Sequence, residues 1–221
     1  MCFKEKTSSD AWWHLWKCNR CGQGRGEDTR QKLLQAAFDE IHKVGFQAAS
    51  LSKILKNTGI TKGALYHHFS NKLDLGYAVV DEVLFTSFKE TWLEPLNNTE
   101  DPISVLQEVL IASGDSMTDE DARLGCPIHN LAQEMSPLDK GFQQRTVDIY
   151  ALWRQSLEAA IERGKSAGNV VPEADARRLA ILFIATLDGC MGLAKSTQRL
   201  EMLLECGRGL IEHLELFRPK K

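Results

Sequence analysis

The chain has 221 residues, 43% of them hydrophobic and 26% charged, with 27 Lys/Arg against 30 Asp/Glu and a mean hydropathy of −0.28. This is ordinary globular composition, long enough for a small module plus a larger helical domain, with no apolar run of membrane-spanning length and no signal-peptide pattern. Six cysteines at scattered positions do not form a disulfide framework, so thiols kept reduced in a cytoplasm are expected and no membrane partner is.

Charge is unevenly spread. Residues 1–26 carry five Lys/Arg against two Asp/Glu, residues 27–72 seven against four, and residues 73–221 fifteen against twenty-four. From Gly45 to Lys72 there are four lysines and no acid. A basic module on an acidic body is the asymmetry expected where one end meets nucleic acid.

Residues 1–26 hold Trp12, Trp13 and Trp16 without helical period, and a single Cys18-x-x-Cys21 pair. Cys2 and His14 are candidate completing zinc ligands, but one CxxC without a well-spaced partner is a weak signal and no metal site is assigned. The segment reads as a disordered tail or as translation from an over-called start, although no Met falls between Met1 and Met117. A basic arm that touches DNA is the remaining alternative.

Leu34, Ala37, Phe38, Ile41 and Val44 recur at helical spacing before Gly45. Ser50 and Thr61 then precede two short apolar-periodic segments, positioned to cap the two helices, with Gly59 where the first must stop. At 100° per residue the second helix puts Lys62, Gly63, Tyr66 and His67 on one side. Ala64, Leu65, His68 and Phe69 fall on the other, facing Leu51, Ile54, Leu55 and Ile60. Two short helices joined by a glycine turn are the outline of a helix-turn-helix, with the basic face free to approach a duplex.

A fourth helix starts at Ser70 or Asn71 and runs to Pro95, long enough to serve as a lever between modules. Further helical patterns cover Pro102–Ser116, Ile128–Glu134, Lys140–Ala167, Glu173–Lys195 and Leu200–Phe217, with no β-like alternation. The fold class is all-α. No phosphate loop, serine elbow, HExxH or paired carboxylates occur, so an enzyme, which would be a small helical one, is not expected and no cofactor is implied.

TRQKLLQAAFDEIHKVGF (29–46) followed by SLSKILKNTGITKGALYHHFSNK (50–72) resembles the DNA-binding domain of the TetR family of bacterial transcriptional regulators. The carriers are the glycine after the second helix, Thr-Lys-Gly opening the third, Tyr-His-His-Phe, and a lysine three residues on. The resemblance implies a tail over 1–26, a three-helix DNA-binding domain over 27–73 and a helical effector-binding and dimerisation domain over 74–221. It implies a homodimeric repressor on a palindromic operator, released by a small molecule. Thr61, Lys62, Gly63, Tyr66, His67 and Lys72 would contact double-stranded DNA, and Ser50 a phosphate.

By the same resemblance the last two helices pair in an intersubunit bundle, through Leu179, Leu182, Phe183, Thr186, Leu187 and Cys190, with Gly189 and Gly192 allowing close approach. The final helix adds Leu203, Leu204, Leu210, Ile211, Leu214 and Leu216; both stripes could equally serve the monomer core. An effector pocket among the middle helices would draw on Cys126, His129, Phe142, Tyr150, Trp153, Phe183 and Met191, each of which could also be plain core. Finally, Gly125–Glu134 resembles a segment of the subgroup that includes the N-ethylmaleimide-responsive repressor. That likeness implies an electrophile or redox sensor in which a helix N-terminus and Lys195 activate Cys126.

Overall fold

The computed structural model describes residues 25–220. The expectations placed on residues 1–24, the Cys18 and Cys21 pair included, lie outside them. The described residues form helices joined by turns, without a strand. In chain order these are α1 Arg25–Val44, α2 Leu51–Thr58, α3 Lys62–His68 and α4 over 72–93, then α5 Pro102–Ser116, α6 Asp119–Leu124 and α7 Pro127–Met135. The last three are α8 Lys140–Ser166, α9 Ala176–Thr197 and α10 Leu200–Glu215.

Backbone contacts group these into two compact units. The first comprises residues 25–87 with Pro127–Val147, and the second Phe88–Cys126 with 148–220. The unit around the helix-turn-helix is therefore larger than the 27–73 segment that carries it, because it also takes in α7 and the start of α8.

In the first unit α1 buries Leu34, Ala37, Phe38 and Ile41 of the predicted stripe and Leu33 beside them, whereas Val44, expected on the same face, is exposed in the last turn. Gly45 stops it with φ +83°, its N–H donating to Ile41 O; an L side chain is strained in that region. Gly59 ends α2 in the same way at φ +67°. Helix α4 starts at the Asn71 cap, whose Oδ1 accepts from Asp74 N–H. It widens twice into π turns, over Val79–Leu84 and Lys89–Leu93. Val79, Val80, Val83 and Leu84 of the first π turn are buried.

In the second unit, α5, α6, α9 and α10 pack against one another. The unanticipated α6 is fixed by a capping box: Thr118 and Asp121 exchange side-chain-to-backbone hydrogen bonds. The T-D-E-D run at 118–121 was its available sequence signal. Of the residues expected at the subunit interface, Leu179, Phe183, Cys190, Leu203, Leu210 and Leu214 are buried within this unit. Leu182 and Gly189 of the expected set are exposed, and the apolar face they share on α9 is completed by Ile181, Ala185 and Leu193.

Candidate nucleic-acid interface and effector region

Helix α3 is short, and its ends are fixed locally. Thr61 Oγ1 accepts from Ala64 N–H at 3.2 Å, and Phe69 N–H closes the other end on Leu65 O. Leu65 and Phe69 are buried, Ile54 of α2 is buried too, and Ala64 and His68 are half-buried. Thr61, Lys62, Gly63, Tyr66 and His67 are exposed together on the opposite face. The Lys62 ammonium sits 5.7 Å from the centre of the Tyr66 ring, so the cation and the aromatic act as one patch. A Cβ built on Gly63 would meet nothing within 4 Å. The small residue thus keeps this face low.

The other two expected contacts sit differently. Ser50 does occupy the N-cap of α2, but its hydroxyl pairs with Ser52 Oγ at 2.6 Å rather than with a backbone N–H. That corrects the expected cap bond; Ser50 contributes through its carbonyl, which accepts from Lys53 N–H and Ile54 N–H. Lys72, the first residue of α4, is half-buried and donates to Gln47 O at 3.0 Å, its ammonium 4.8 Å from the centre of the Phe46 ring. Burial lowers its pKa, and the nearby Glu134 carboxylate pulls it back up. Of the remaining lysines in the basic stretch, Lys53 offsets the buried Glu40 at 3.6 Å, while Lys56 and Lys62 are exposed.

Long-range polar links that sequence reading missed complete the first unit. Glu134 of α7 accepts from both Phe46 N–H and Gln47 N–H at 2.8 Å. Tyr77 donates to Asp139 at 2.7 Å, and Arg145 reaches Asp81 at 2.9 Å while lying over the Tyr77 ring. The Asp139 hydrogen bond holds the Tyr77 hydroxyl above its usual pKa, with burial adding to it. Arg30 pairs with Glu82 and stacks on Phe69.

The candidate effector residues divide between the units. Phe142 is fully buried in the first, edge-on to Phe46 and Tyr77, and His129 belongs to that unit as well. In the second, Trp153 and Phe183 join Phe88 and Trp92 in a cluster of edge-to-face and tilted rings at 5.1–6.3 Å. Trp153 is 5% exposed and its indole N–H has no acceptor. Tyr150 donates to Asp188 at 2.7 Å; burial, then the Asp188 and Cys126 charges, push its phenol far upward. Met191 is buried, Cys126 half-buried directly before α7, and Lys195 exposed near the end of α9. Among the described residues no group of His, Cys, Asp and Glu is arranged to hold a metal.

A capped, exposed basic helix seated on a two-helix platform, joined to a helical second unit, defines a helix-turn-helix DNA-binding regulator. Comparison with known proteins agrees. Residues 33–79 match the model of bacterial regulatory proteins of the tetR family, and residues 102–209 match the C-terminal domain of LmrA/YxaF-like transcriptional regulators. The chain is 30% identical to the HTH-type transcriptional regulator AcrR of Shigella flexneri over 171 residues, 75% of this chain and 77% of that protein. The chain belongs to the TetR family of bacterial transcriptional regulators, which are DNA-binding proteins and not enzymes.

A crystal structure of a TetR regulator from Chloroflexus aurantiacus superposes with a TM-score of 0.76 at 25% identity, covering 88% of this chain and 98% of that one. Reduced NemR of E. coli gives 0.72 at 19% identity, covering 87% and 98%. At that identity the likeness shows the fold alone. The C-terminal match is to the LmrA/YxaF-like domain, so the expected placement in the subgroup of the N-ethylmaleimide-responsive repressor is not upheld. The reading of Cys126 and Lys195 as a reactive pair gains no support from these comparisons.

Proposed function

We propose that the protein is a repressor: two copies pair through α9 and α10, and their α3 helices occupy the half-sites of a palindromic operator. A small molecule held in the second unit releases them. The observation that carries the DNA-binding half is the α3 face of Lys62, Gly63, Tyr66 and His67. It is exposed, capped by Thr61 and pinned from behind by Leu65 and Phe69, in a stretch without acidic residues from Gly45 to Lys72. The two recognition helices of such a pair meet successive major grooves when they lie about 34–36 Å apart. A ligand that prefers another spacing lowers operator affinity by its differential affinity for the two forms. A bacterial cytoplasm is the compartment this reading requires, and no cofactor enters it.

The effector half is supported by Trp153. A buried indole N–H normally finds an acceptor, and leaving one without costs about 1–3 kcal/mol. Surrounded by Phe88, Trp92 and Phe183, this donor suits a compact aromatic effector that carries an oxygen acceptor.

The test is selection of duplexes from a random-sequence pool with the purified full chain, followed by binding titrations at several salt concentrations. Enrichment of an inverted repeat, bound two chains per duplex, is the expected result. No enrichment, together with no duplex binding at low ionic strength, overturns the reading.

A further inference from the structure

Gly125–Glu134 stands out in the sequence, and the DNA-contact surface leaves it without a role. The structure gives its last residue one. Just past the C-terminus of α1, Gly45 turns the chain at φ +83°, and the next two backbone N–H groups, of Phe46 and Gln47, point the same way. Consecutive N–H groups of this kind form a concave receptor for an anion. Both oxygens of Glu134, 87 and 88 residues further along the chain, fill it at 2.8 Å each. A carboxylate bridging two backbone donors is held more strongly and more directionally than a neutral partner would be.

Two further observations show that the arrangement is built for this carboxylate. A Cβ on residue 45 would lie 2.9 Å from Glu134 Oε2, so the glycine serves both the backbone turn and the space the carboxylate needs. The same residue, Gln47, is also gripped from its other side: its carbonyl accepts from Lys72 at 3.0 Å. Gln47 is thus fixed at both its N–H and its C=O, four residues before α2 starts at Leu51, by side chains from α7 and α4. Phe46 is buried against Phe142, with ring centres 4.6 Å apart. Neither grip touches the exposed face of α3.

We propose that Glu134 is a positioning residue for operator binding: by clamping the Phe46–Gln47 corner it sets the direction in which α2 and α3 leave α1. This rests on the DNA-binding reading above and assigns a regulator's affinity to a residue distant in sequence from the helix-turn-helix. Without the clamp, α3 keeps its own caps and its exposed cations, so its attraction to phosphates persists. What is lost is the fixed register that specific contact needs.

Full-length wild type, Glu134→Gln and Glu134→Ala are compared on the selected operator and on a scrambled duplex of the same length, with amide hydrogen exchange at Phe46 and Gln47 and a thermal melt of each. Glu134→Gln keeps the shape and one acceptor oxygen, so it reports on the clamp even if the alanine variant folds poorly. The expected result is a loss of operator affinity of about tenfold, within the range usual for coupling between sites. Scrambled-duplex affinity and the salt slope stay unchanged, and exchange at Phe46 and Gln47 accelerates. A merely structural role would lower both affinities together, in step with the fraction unfolded, and that result overturns the proposal. So does a folded glutamine variant with wild-type operator affinity. Wild type that binds no duplex overturns the function itself, a separate and recognisable failure.

Discussion

Lys62 and Tyr66 lie one helical turn apart on the exposed side of α3, and neither contributes to the buried face. Replacing Lys62 by Ala should therefore leave the melting temperature unchanged. Operator affinity should fall, and the slope of log affinity against log salt should become shallower by about one unit, the signature of one neutralised phosphate. An unchanged slope would remove Lys62 from the contact surface. Trp153 presents the opposite case, a residue whose bulk and polarity can be separated. Trp153→Ala opens a cavity in the ring cluster and should cost about 3–5 kcal/mol in denaturant unfolding. Trp153→Phe keeps much of the ring volume and deletes a donor that has no acceptor, so the ligand-free protein should lose far less stability than with alanine. If the donor serves an effector, the phenylalanine variant should bind a phenolic probe such as 2-naphthol more weakly than wild type, by fluorescence titration. Equal binding by the two would take Trp153 out of the effector site.

At the scale of elements, the ends of helices carry most of the polar organisation. Asp101 caps α5 through Ser104 N–H and hydroxyl, and it also receives Arg218 from beyond α10. Burial alone would raise the Asp101 pKa; the Ser104 and Arg218 hydrogen bonds outweigh it and hold the carboxyl below its usual range. A carboxyl depressed in the folded state adds stability above its unfolded pKa and loses it as pH falls through the folded one. Asp101→Asn keeps a capping oxygen but not the charge, so it should cost about 0.5–1 kcal/mol at pH 7. The gap from wild type should begin to narrow below about pH 4, where the unfolded carboxyl protonates, and vanish only as pH passes the lower folded pKa; a gap constant from pH 7 to pH 3 would show that charge is not involved. These ends also explain what could be read in advance. The two faces of α3, the Thr61 cap and the Gly45 and Gly59 stops follow from side chains within four residues of one another, so periodicity and capping chemistry expose them. The Glu134 clamp, the Tyr77–Asp139 bond and the Asp101–Arg218 pair join residues 62 to 117 positions apart, and no local pattern carries that information.

At the scale of the whole molecule the open question is what covers α9. Ile181, Leu182, Ala185, Gly189 and Leu193 fall within one 120° arc of that helix and are exposed in the single chain. Gly189 and Gly192 would each tolerate a Cβ with nothing within 4 Å, so the small residues there answer no constraint inside the monomer. Helix α9 is also long and apolar enough to cross a bilayer, with only a third of its most apolar stretch buried. Arg177, Arg178, Asp188 and Lys195 along it, and its packing against α6 and α10, fit a protein partner better than lipid. A second copy of the same face satisfies these observations, because a two-fold axis lets one small-residue stripe meet its own image. Linking two recognition helices this way multiplies operator affinity without any new DNA contact, by about 10²–10⁴ when the geometry matches. Leu182→Glu places a charge on that face at a side chain already 47% exposed. The variant should thus fold with near-wild-type stability, run as a monomer in analytical ultracentrifugation and lose at least about a hundredfold in operator affinity. Its affinity for a duplex carrying a single half-site should stay the same. A variant that remains dimeric would place the pairing surface elsewhere, and one that is monomeric yet binds the full operator unimpaired would show that pairing contributes nothing to DNA recognition.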